Sequence, residues 1–357
     1  MKLIDVCNPK QWKTISASEL VEDGYPVFGA NGIIGYFSDY NHENPTLCIT
    51  CRGATCGTVN KSLPYSYITG NSMALDDLDE SVITIDFLYY FLQYRGFDDV
   101  ITGSAQPQIT RQSLSKIFIP EIDLNIQKNI TQIIKSLEQL ILNRDKQREN
   151  FNMLVKSRFN EMFGDIFDNP QSKLEDHIEL NPNKKELQNF NDNVSFLPMS
   201  NVSENGKIDL SINRNIDDVR KGFTFFKDND VIVAKITPCF ENGKGAPVFG
   251  LLNGVGFGST EFHVLRPKNT VNTVWLYHVT MLSKFRLEGE RKMTGSGGQR
   301  RITKDFINNF KLNIPPLSLQ NEFADFVDQV DKSQLAIQKS LEELETLKKS
   351  LMQEYFG

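Results

Sequence analysis

The chain has 357 residues and a mass of 40.7 kDa, which is longer than one typical domain and indicates two. Its net charge of -6 and pI near 5.4 exclude an evenly basic surface, so any contact with nucleic acid must be local. A hydrophobic content of 39% excludes a disordered or fibrous chain, and no apolar run approaches the roughly 18 residues of a membrane span or forms a signal peptide, which favours a cytoplasmic location.

The N-terminal region is rich in glycine and in strand-like runs. Within it, Cys48, Cys51 and Cys56 have the spacing with which many zinc sites begin, and His42 is a candidate fourth ligand. The competing interpretation is that these are small buried thiols on an apolar strand. We favour buried thiols and predict no metal site, because the corresponding loop of the second half of the chain contains only Cys239.

A long helix is predicted to follow this region. Apolar residues recur at spacings of three and four from Ile126 onward, with Gln, Lys, Glu and Arg between them. Neither Pro nor Gly interrupts the segment from Ile126 to Phe163. At about 1.5 Å per residue, this segment makes a rod of roughly 55 to 60 Å.

The second half of the chain repeats the first. Gly164 recurs as Gly357, 193 positions later, and the same offset relates Gln127 to Gln320. Strand-like runs at 46–50 and 230–234 lie in corresponding regions. The chain is therefore a diverged tandem duplication, and each unit has a mixed α/β region followed by a long helix.

The two long helices carry matching apolar seams. Each helix could pack on its own globular unit alone, but seams of this length are hard to cover with small domains, and we favour pairing of the helices. A pseudo-twofold relation between the repeats would make this pair antiparallel, so that helix length would set the spacing of the units. The predicted seam residues are Ile130, Ile133, Leu137, Leu140, Phe151, Leu154, Phe323, Phe326, Val330, Ile337, Leu344 and Leu347.

The sequence lacks the motifs of common nucleotide-dependent and cofactor-dependent enzymes. The glycines between Val27 and Gly35 are spaced like a cofactor loop, but no acidic residue follows at the usual interval. No Gly-x4-Gly-Lys-Ser/Thr loop is present, and segment 313–316 only superficially matches the tetrapeptide of amino-methyltransferases. The 4 histidines are scattered. We predict a non-catalytic chain that holds no cofactor.

Paired loops are the candidates for contact with nucleic acid. A Gly-rich loop at 294–299 is flanked by basic residues, and its counterpart in the first repeat, at 102–108, is rich in amides. Arg and Gln can pair with base edges, and Lys can bind phosphate. Solvated surface loops and ordinary turns are the alternatives. The candidate residues are Arg52, Ser104, Gln106, Gln108, Arg111, Lys235, Lys244, Ser296, Gln299, Arg300, Arg301 and Lys304.

An ordered set of motifs occurs twice along the chain. Its members are segments 25–36 and 258–262, the Gly-Ser loops at Gly103 and Gly295, the helix entries at Gln127 and Gln320, and the helix ends at Gly164 and Gly357. This set covers the full chain and resembles the specificity subunit of type I restriction-modification systems.

The resemblance implies an α+β fold with two mixed α/β target-recognition domains in tandem, held apart by an antiparallel coiled coil. The domains would be residues 1–120 and 166–315, and the helices residues 121–165 and 316–357. Each domain would read one half of a split, asymmetric site in double-stranded DNA. The chain begins directly in the first domain, without the leader helix of many relatives, a departure that bears on subunit docking.

The resemblance also implies partners. Two methyltransferase subunits would bind S-adenosylmethionine and methylate adenine, and restriction subunits would use ATP and Mg²⁺. The chain itself would direct these activities without performing them.

Two other functions compete with this one. A stand-alone DNA-binding repressor is disfavoured by the acidic charge and by the lack of a recognition-helix motif. A coiled-coil scaffold without a DNA role would tolerate neutralisation of Arg300 and Arg301.

Overall fold

The computed structural model describes residues 1–30, 32–103, 106–187, 190–296 and 298–357. The chain divides into two compact units, which we call unit 1 (Met1–Gln147 with Ile337–Gly357) and unit 2 (Arg148–Ala336). Two helices of 40 residues each are divided between the units. In the described ranges, none of the helices combines the length and apolar character that a bilayer crossing requires.

Unit 1 is built on two small β-sheets. Their strands are β1 (Asn8–Gln11), β2 (Tyr25–Gly29), β3 (Gly32–Phe37), β4 (Leu47–Thr50), β5 (Val59–Lys61), β6 (Tyr67–Ile68) and β7 (Ser72–Asp76). The order β1-β7-β4-β5 is antiparallel throughout, whereas in β3-β2-β6 the last pair is parallel. All four residues of β4 are buried, as expected for a central strand covered on both faces.

Helices cover the first sheet of unit 1. They are α1 (Ile85–Arg95), α2 (Arg111–Leu114) and the N-terminal part of α3 (Leu124–Phe163). The Thr84 side chain caps α1 by accepting a hydrogen bond from the Phe87 N–H. Ile49 of β4, Phe87 of α1 and Ile134 of α3 lie in one hydrophobic core.

Unit 2 contains a larger set of strands. They are β8 (Ser172–Lys173), β9 (Ile178–Leu180), β10 (Asn193–Leu197), β11 (Asn213–Asn215), β12 (Thr224–Lys227), β13 (Val231–Ala234), β14 (Gly245–Pro247), β15 (Val255–Gly258), β16 (Phe262–Pro267) and β17 (Lys311–Leu312). They form sheets of order β11-β10-β15-β12, β14-β13-β16-β9 and β17-β8. Only the β10 and β15 pair among these described strands is parallel.

The helices of unit 2 enclose an aromatic core. They are α4 (Leu174–His177), α5 (Ile216–Val219), α6 (Thr273–Met281), α7 (Ser283–Arg291), α8 (Lys304–Asn308) and α9 (Leu317–Phe356), the last of which continues into unit 1. Trp275, Phe240, Phe285 and Phe323 are fully buried in this core. The structure therefore has the predicted α+β architecture, with a mixed α/β region before each long helix.

A buried glutamine anchors the start of each long helix. In unit 1, the Gln127 Oε1 atom accepts a hydrogen bond from the Thr84 N–H at 2.8 Å, and its Nε2 atom donates to the Val82 and Ile122 carbonyls at 2.9 and 2.8 Å. Because this side chain is 1% exposed, the three bonds satisfy groups that water cannot reach. They tie α3 to the segment that begins α1.

Unit 2 repeats this anchor at the position 193 residues later. The Gln320 Oε1 atom accepts from the Asn272 N–H at 2.8 Å, and its Nε2 atom donates to the Thr270 and Pro315 carbonyls at 3.1 and 2.8 Å. Gln320 is fully buried. The repeated glutamine, visible in the sequence, thus marks a repeated backbone clamp.

Within unit 1, the segments of α3 and α9 run antiparallel. The Lys348 Nζ atom donates to Glu138 at 2.7 Å, and Glu138 also accepts from the Tyr90 hydroxyl at 2.6 Å. Further along α9, Phe356 packs on the core that contains Ile134, which lies earlier on α3. Burial and the neighbouring Glu138 carboxylate raise the pKa of the Tyr90 phenol, so the phenol remains a donor.

The helix segments of unit 2 are also antiparallel. Gln334 donates to Asn152 at 2.9 Å, and Arg158, later on α3, donates to Glu322, earlier on α9, at 3.4 Å. The Phe159 ring meets the Phe323 ring edge to face at 5.3 Å between centroids.

The predicted apolar seam requires a correction. Ile133, Leu140, Leu154 and Leu347 are between 42% and 47% exposed and lie outside the buried face. Ile130, Leu137, Phe323, Val330 and Ile337 are buried, and Phe151, Phe326 and Leu344 are half-buried. The buried face instead includes Ile134, Leu341, Val155, Phe159 and Val327. The sequence Ile133-Ile134 offers two adjacent apolar stripes at helical spacing, and only the packing decides which one is covered.

Candidate nucleic-acid interface

In unit 1, the loop that follows β4 lies against the Gly-Ser loop. The Ile109 N–H donates to the Cys51 carbonyl at 3.0 Å, and the Gly53 N–H donates to the Pro107 carbonyl at 3.3 Å. Thr102 and Gln108 exchange two backbone hydrogen bonds, at 2.9 and 2.8 Å, that close the base of the Gly-Ser loop. Two loops that are distant in sequence therefore form one surface.

Unit 2 reproduces this pairing bond for bond. The Ile302 N–H donates to the Lys235 carbonyl at 2.9 Å, and the Thr237 N–H donates to the Arg300 carbonyl at 2.9 Å. Thr294 and Arg301 exchange the two bonds that close the second Gly-Ser loop, at 3.0 and 2.8 Å. The backbone framework of the candidate surface is thus duplicated along with the sequence.

In unit 1, the candidate side chains are exposed on or next to the paired loops. Gln106 and Gln108 are exposed on the Gly-Ser loop, and Arg52 is exposed on the neighbouring loop, where its backbone bridges that of Gln108. Arg111 is exposed at the start of α2. Ser104 lies outside the described residues. The structure therefore brings Arg52, Gln106 and Gln108 to one surface, with Arg111 close by in the chain.

In unit 2, Arg301 is held by a carboxylate. Its Nε atom donates to both oxygens of Glu261, at 3.2 and 3.0 Å, and its Nη2 atom donates to Oε1 at 2.8 Å. Its Nη1 atom donates to the Gln299 carbonyl at 3.1 Å. This hydrogen bonding from Arg301 holds the pKa of the Glu261 carboxyl below its ordinary value. Arg301 therefore braces the loop through its bonds to Glu261 and Gln299, although its side chain remains 39% exposed.

Arg300 and Gln299 are less constrained than Arg301. The Arg300 Nη2 atom lies 3.8 Å from the Glu241 Oε1 atom, which also accepts from the Thr237 hydroxyl at 2.9 Å. Gln299 is exposed, as is Ser296, whose carbonyl accepts from the Gln299 N–H at 3.3 Å. The braced loop leaves the Gln299 side chain exposed and the Arg300 side chain half-buried beside Glu241.

The three candidate lysines of unit 2 have different surroundings. Lys235 is half-buried directly after β13, and burial lowers the pKa of its ammonium group, with opposition from the nearby Glu261. Lys304 is exposed at the start of α8. Lys244 is half-buried, and its Nζ atom donates to the Met199 carbonyl at 3.4 Å, so its charge is partly used within the fold.

A buried histidine supports the Arg300–Arg301 segment from below. The His263 Nε2–H donates to the Ile302 carbonyl at 3.2 Å, and its Nδ1 atom accepts from the Asn181 side-chain amide at 3.1 Å. These two partners require the neutral tautomer with the proton on Nε2. Burial is the main reason that the pKa of His263 is lowered to about 4, and Lys235 and Lys304 lower it further while Glu261 opposes them.

The His263 environment predicts acid sensitivity. Between the ordinary pKa of 6.5 and about 4, the unfolded chain binds more protons than the folded chain, so stability is retained above this window and is lost as the pH falls through it. Within this window, one such histidine changes the free energy of unfolding by about 1.4 kcal/mol per pH unit. We expect His263→Gln to reduce the loss of unfolding free energy between pH 7 and pH 5 by about 1 to 2 kcal/mol in urea titrations followed by fluorescence. If the free energy of unfolding fell equally in wild type and variant between pH 7 and pH 5, the lowered pKa of His263 would be contradicted.

The cysteines and His42 of unit 1 have internal partners. Cys48 and Cys51 are fully buried, and burial raises the pKa of the Cys48 thiol to about 12. The His42 ring contacts the Asn41 amide oxygen at 2.6 Å and the Asp76 carboxylate at 2.9 Å. Across the described ranges, no group of three or more His, Cys, Asp or Glu is gathered as metal ligands.

Several residues of this surface were missed by the sequence reasoning. Glu261 and Glu241 were not expected to pair with the loop arginines, and Asn181 and His263 were not expected to support the loop. The segment 258–262 pointed to Glu261 as part of a motif, but nothing in the sequence connected it with Arg301. The pairing of β13 with β16 and the bonds of Lys235 to Glu261 and Ile302 bring these positions together.

A family model described as the type I restriction modification DNA specificity domain matches residues 1–150 and 168–347. The EcoAI type I restriction enzyme specificity subunit of Escherichia coli is 41% identical over 145 residues, covering 40% of this chain and 24% of that protein. The EcoEI specificity subunit of the same species is 39% identical over 146 residues, with the same coverage. The chain thus matches about a quarter of the length of each of these relatives.

The fold is similar to a solved structure over the whole chain. The crystal structure of the S subunit of a type I restriction-modification system from M. genitalium aligns with a TM-score of 0.60 and 14% sequence identity, covering 100% of this chain and 95% of that one. At this identity the similarity speaks for the fold, with two mixed domains in tandem and two long helices.

Proposed function

The chain belongs to the type I restriction modification DNA specificity family, and from this membership we propose that it is the subunit that selects the DNA sequence for a type I restriction-modification complex. Each unit reads one half of a split, asymmetric site in double-stranded DNA. The chain carries no catalysis of its own. S-adenosylmethionine, ATP and Mg²⁺ are bound by partner subunits, and the complex acts in the cytoplasm, where chromosomal DNA is accessible.

One observation carries the DNA-reading part of this proposal. The same two loops are joined by the same backbone hydrogen bonds in both units. Exposed Arg52, Gln106 and Gln108 lie on the pair in unit 1, and exposed Gln299 and half-buried Arg300 lie on the pair in unit 2. A duplicated surface with different side chains suits a protein that reads two different half-sites through one framework. Arg and Gln are the residues best suited to paired contacts with guanine and adenine.

Residue roles follow from the position and chemistry of each side chain. The Arg, Gln and Ser side chains of the paired loops are proposed to read bases, the flanking cations to bind phosphate, and the braced Arg301 to position its loop. Proposed readers are Arg52, Ser104, Gln106, Gln108, Ser296, Gln299 and Arg300; proposed phosphate contacts are Arg111, Lys235, Lys244 and Lys304; Arg301 positions the second loop.

Gln299 and Arg301 provide a matched test of these roles. We expect Gln299→Ala to reduce discrimination at one base position by about 1 to 3 kcal/mol, because a paired base contact is lost. Arg301→Ala should weaken binding without singling out one base position, since it releases the whole loop from Glu261. Competition binding with duplexes carrying single base changes measures both effects. A position-specific loss in Arg301→Ala, or a uniform loss in Gln299→Ala, would reverse the assignment.

The partners are proposed to be two methyltransferase subunits and restriction subunits. On the unit 1 segment of α3, Ile126, Ile133 and Leu140 recur every seven residues and are 52%, 42% and 47% exposed. This stripe, which we call the outer stripe, lies beside the buried face of α3 and offers apolar contact area to a partner helix. We assign it to a methyltransferase subunit.

Adenine-methylation sequencing tests the proposed function in cells. Cells with the chain and its neighbouring methyltransferase are compared with cells that lack only the chain, and with cells in which it is restored. We expect a split methylated motif to vanish on deletion and to return on restoration. Persistence of that motif after deletion, at unchanged methyltransferase level, would exclude the role.

A further inference from the structure

Unit 2 contains a basic cavity beside the candidate DNA surface. The cavity has a volume of about 260 Å³, and its wall includes Asn181, Lys184, Phe225, Lys235, His263 and Lys304. Three lysines thus line a single small space, and the described residues that line it include no Asp or Glu. A group of ammonium charges around a cavity favours an anion.

The three lysines are not equivalent. Lys184 is used by the fold, because its Nζ atom donates to the Arg220 and Phe223 carbonyls at 3.1 and 2.6 Å. Among the described residues, the ammonium groups of Lys235 and Lys304 donate no hydrogen bond and form no ion pair. The nearest countercharge, Glu261, is already bonded to Arg301. Two sets of donors therefore remain available at the mouth of the cavity.

The first repeat has no lysine at the position equivalent to Lys235. The Ile109–Cys51 and Ile302–Lys235 backbone bonds are equivalent, so Cys51 occupies the position of Lys235. The Cys51 thiol is fully buried and accepts a hydrogen bond from the Gln11 amide at 2.8 Å. Unit 1 thus has a buried thiol where unit 2 has the Lys235 ammonium group, whereas Arg111, 193 positions before Lys304, keeps a cation at the second position.

We propose that the cavity between Lys235 and Lys304 in unit 2 is a phosphate-binding subsite that holds one phosphodiester of the DNA backbone. This inference rests on the proposed function and adds a defined anchor to it. The subsite sets the register of the second Gly-Ser loop on the duplex without reading sequence, because phosphate contacts carry no base information. Lys184 and Asn181 shape the wall.

The test uses the full chain assembled with its methyltransferase subunits and the duplex identified by methylation sequencing. The double variant Lys235→Gln/Lys304→Gln is compared with Lys311→Gln, which removes an exposed charge from β17, away from the cavity. Affinity is measured from about 50 to 200 mM salt. We expect the slope of log K against log salt to become shallower by about 0.9 in the double variant, with equal loss on cognate and unrelated duplexes. The Lys311 control should retain the wild-type slope.

A phosphate scan locates the contact. Single neutral methylphosphonates are introduced along both strands, and we expect wild type to lose affinity at one position, or two adjacent ones, where the double variant loses nothing further. Additive losses at every position, with intact sequence preference, would overturn the subsite while leaving the proposed function standing. A wild-type complex that binds cognate and unrelated duplexes equally well would instead overturn the proposed function.

Free inorganic phosphate is the alternative ligand for the cavity between Lys235 and Lys304. Chloride is exchanged for inorganic phosphate at constant ionic strength, and thermal stability is recorded for wild type and the double variant. Stabilisation of wild type alone, without a position-specific effect in the phosphate scan, would overturn the DNA backbone as the ligand.

Discussion

Replacing Gln320 with leucine is expected to destabilise unit 2 by about 3 kcal/mol or more. The substitution leaves the Asn272 N–H and the Thr270 and Pro315 carbonyls without their partner in a site that water does not reach. Each buried polar group left unsatisfied costs about 1 to 3 kcal/mol. The effect is large because the overall stability of a domain is only about 5 to 15 kcal/mol.

A second glutamine on the same helix provides the control. Gln329 is exposed on α9, and Gln329→Leu should change the unfolding free energy by no more than about 0.5 kcal/mol. Urea unfolding of the full chain, followed by tryptophan fluorescence, compares the two variants. Equal changes of unfolding free energy in the two variants would show that the buried hydrogen bonds of Gln320 do not stabilise unit 2.

Replacing Ile134 with aspartate should be still more damaging, at about 3 to 5 kcal/mol. The side chain is 0% exposed in the core that joins α1, α3 and the first sheet of unit 1, and no cation is positioned among the described residues of that core to pair with a carboxylate. An unpaired buried charge keeps its full desolvation penalty. The expected result is loss of the cooperative unfolding transition of unit 1.

The adjacent residue is the matched comparison. Ile133 belongs to the outer stripe and is 42% exposed, so Ile133→Asp should leave folding within about 0.5 kcal/mol of wild type. Under the proposed function it should instead weaken co-purification with the methyltransferase subunit. Comparable losses of stability in Ile133→Asp and Ile134→Asp would contradict the described helix face.

This pair of residues also shows how far the sequence could predict the fold. The repeat at an offset of 193 indicated two equivalent units and two long helices, because glycines, glutamines and apolar spacing recur together. The covered side of each helix could not be predicted in full. Ile133 and Ile134 satisfy the helical period equally well, and the choice depends on where α1 and α9 pack.

The candidate interface was predictable in its backbone but not in its electrostatics. The corresponding loops could be aligned by sequence, and their pairing follows from the shared fold of the two repeats. The bracing of Arg301 by Glu261 and the access of Lys184 to the cavity depend on strands that are far apart in sequence. The charged residues therefore indicated which loops form the candidate surface. Their individual roles depend on the side chains that they meet from neighbouring strands, which the sequence does not show.

The most direct test of the central claim exchanges one recognition unit. Residues 166–315 are replaced by the corresponding segment of a related subunit with a known target, in cells that retain the methyltransferase. The account predicts that one half of the methylated motif changes to that of the donor while the other half stays the same. A motif that is unchanged in both halves, with the chimaera folded and assembled, would contradict it.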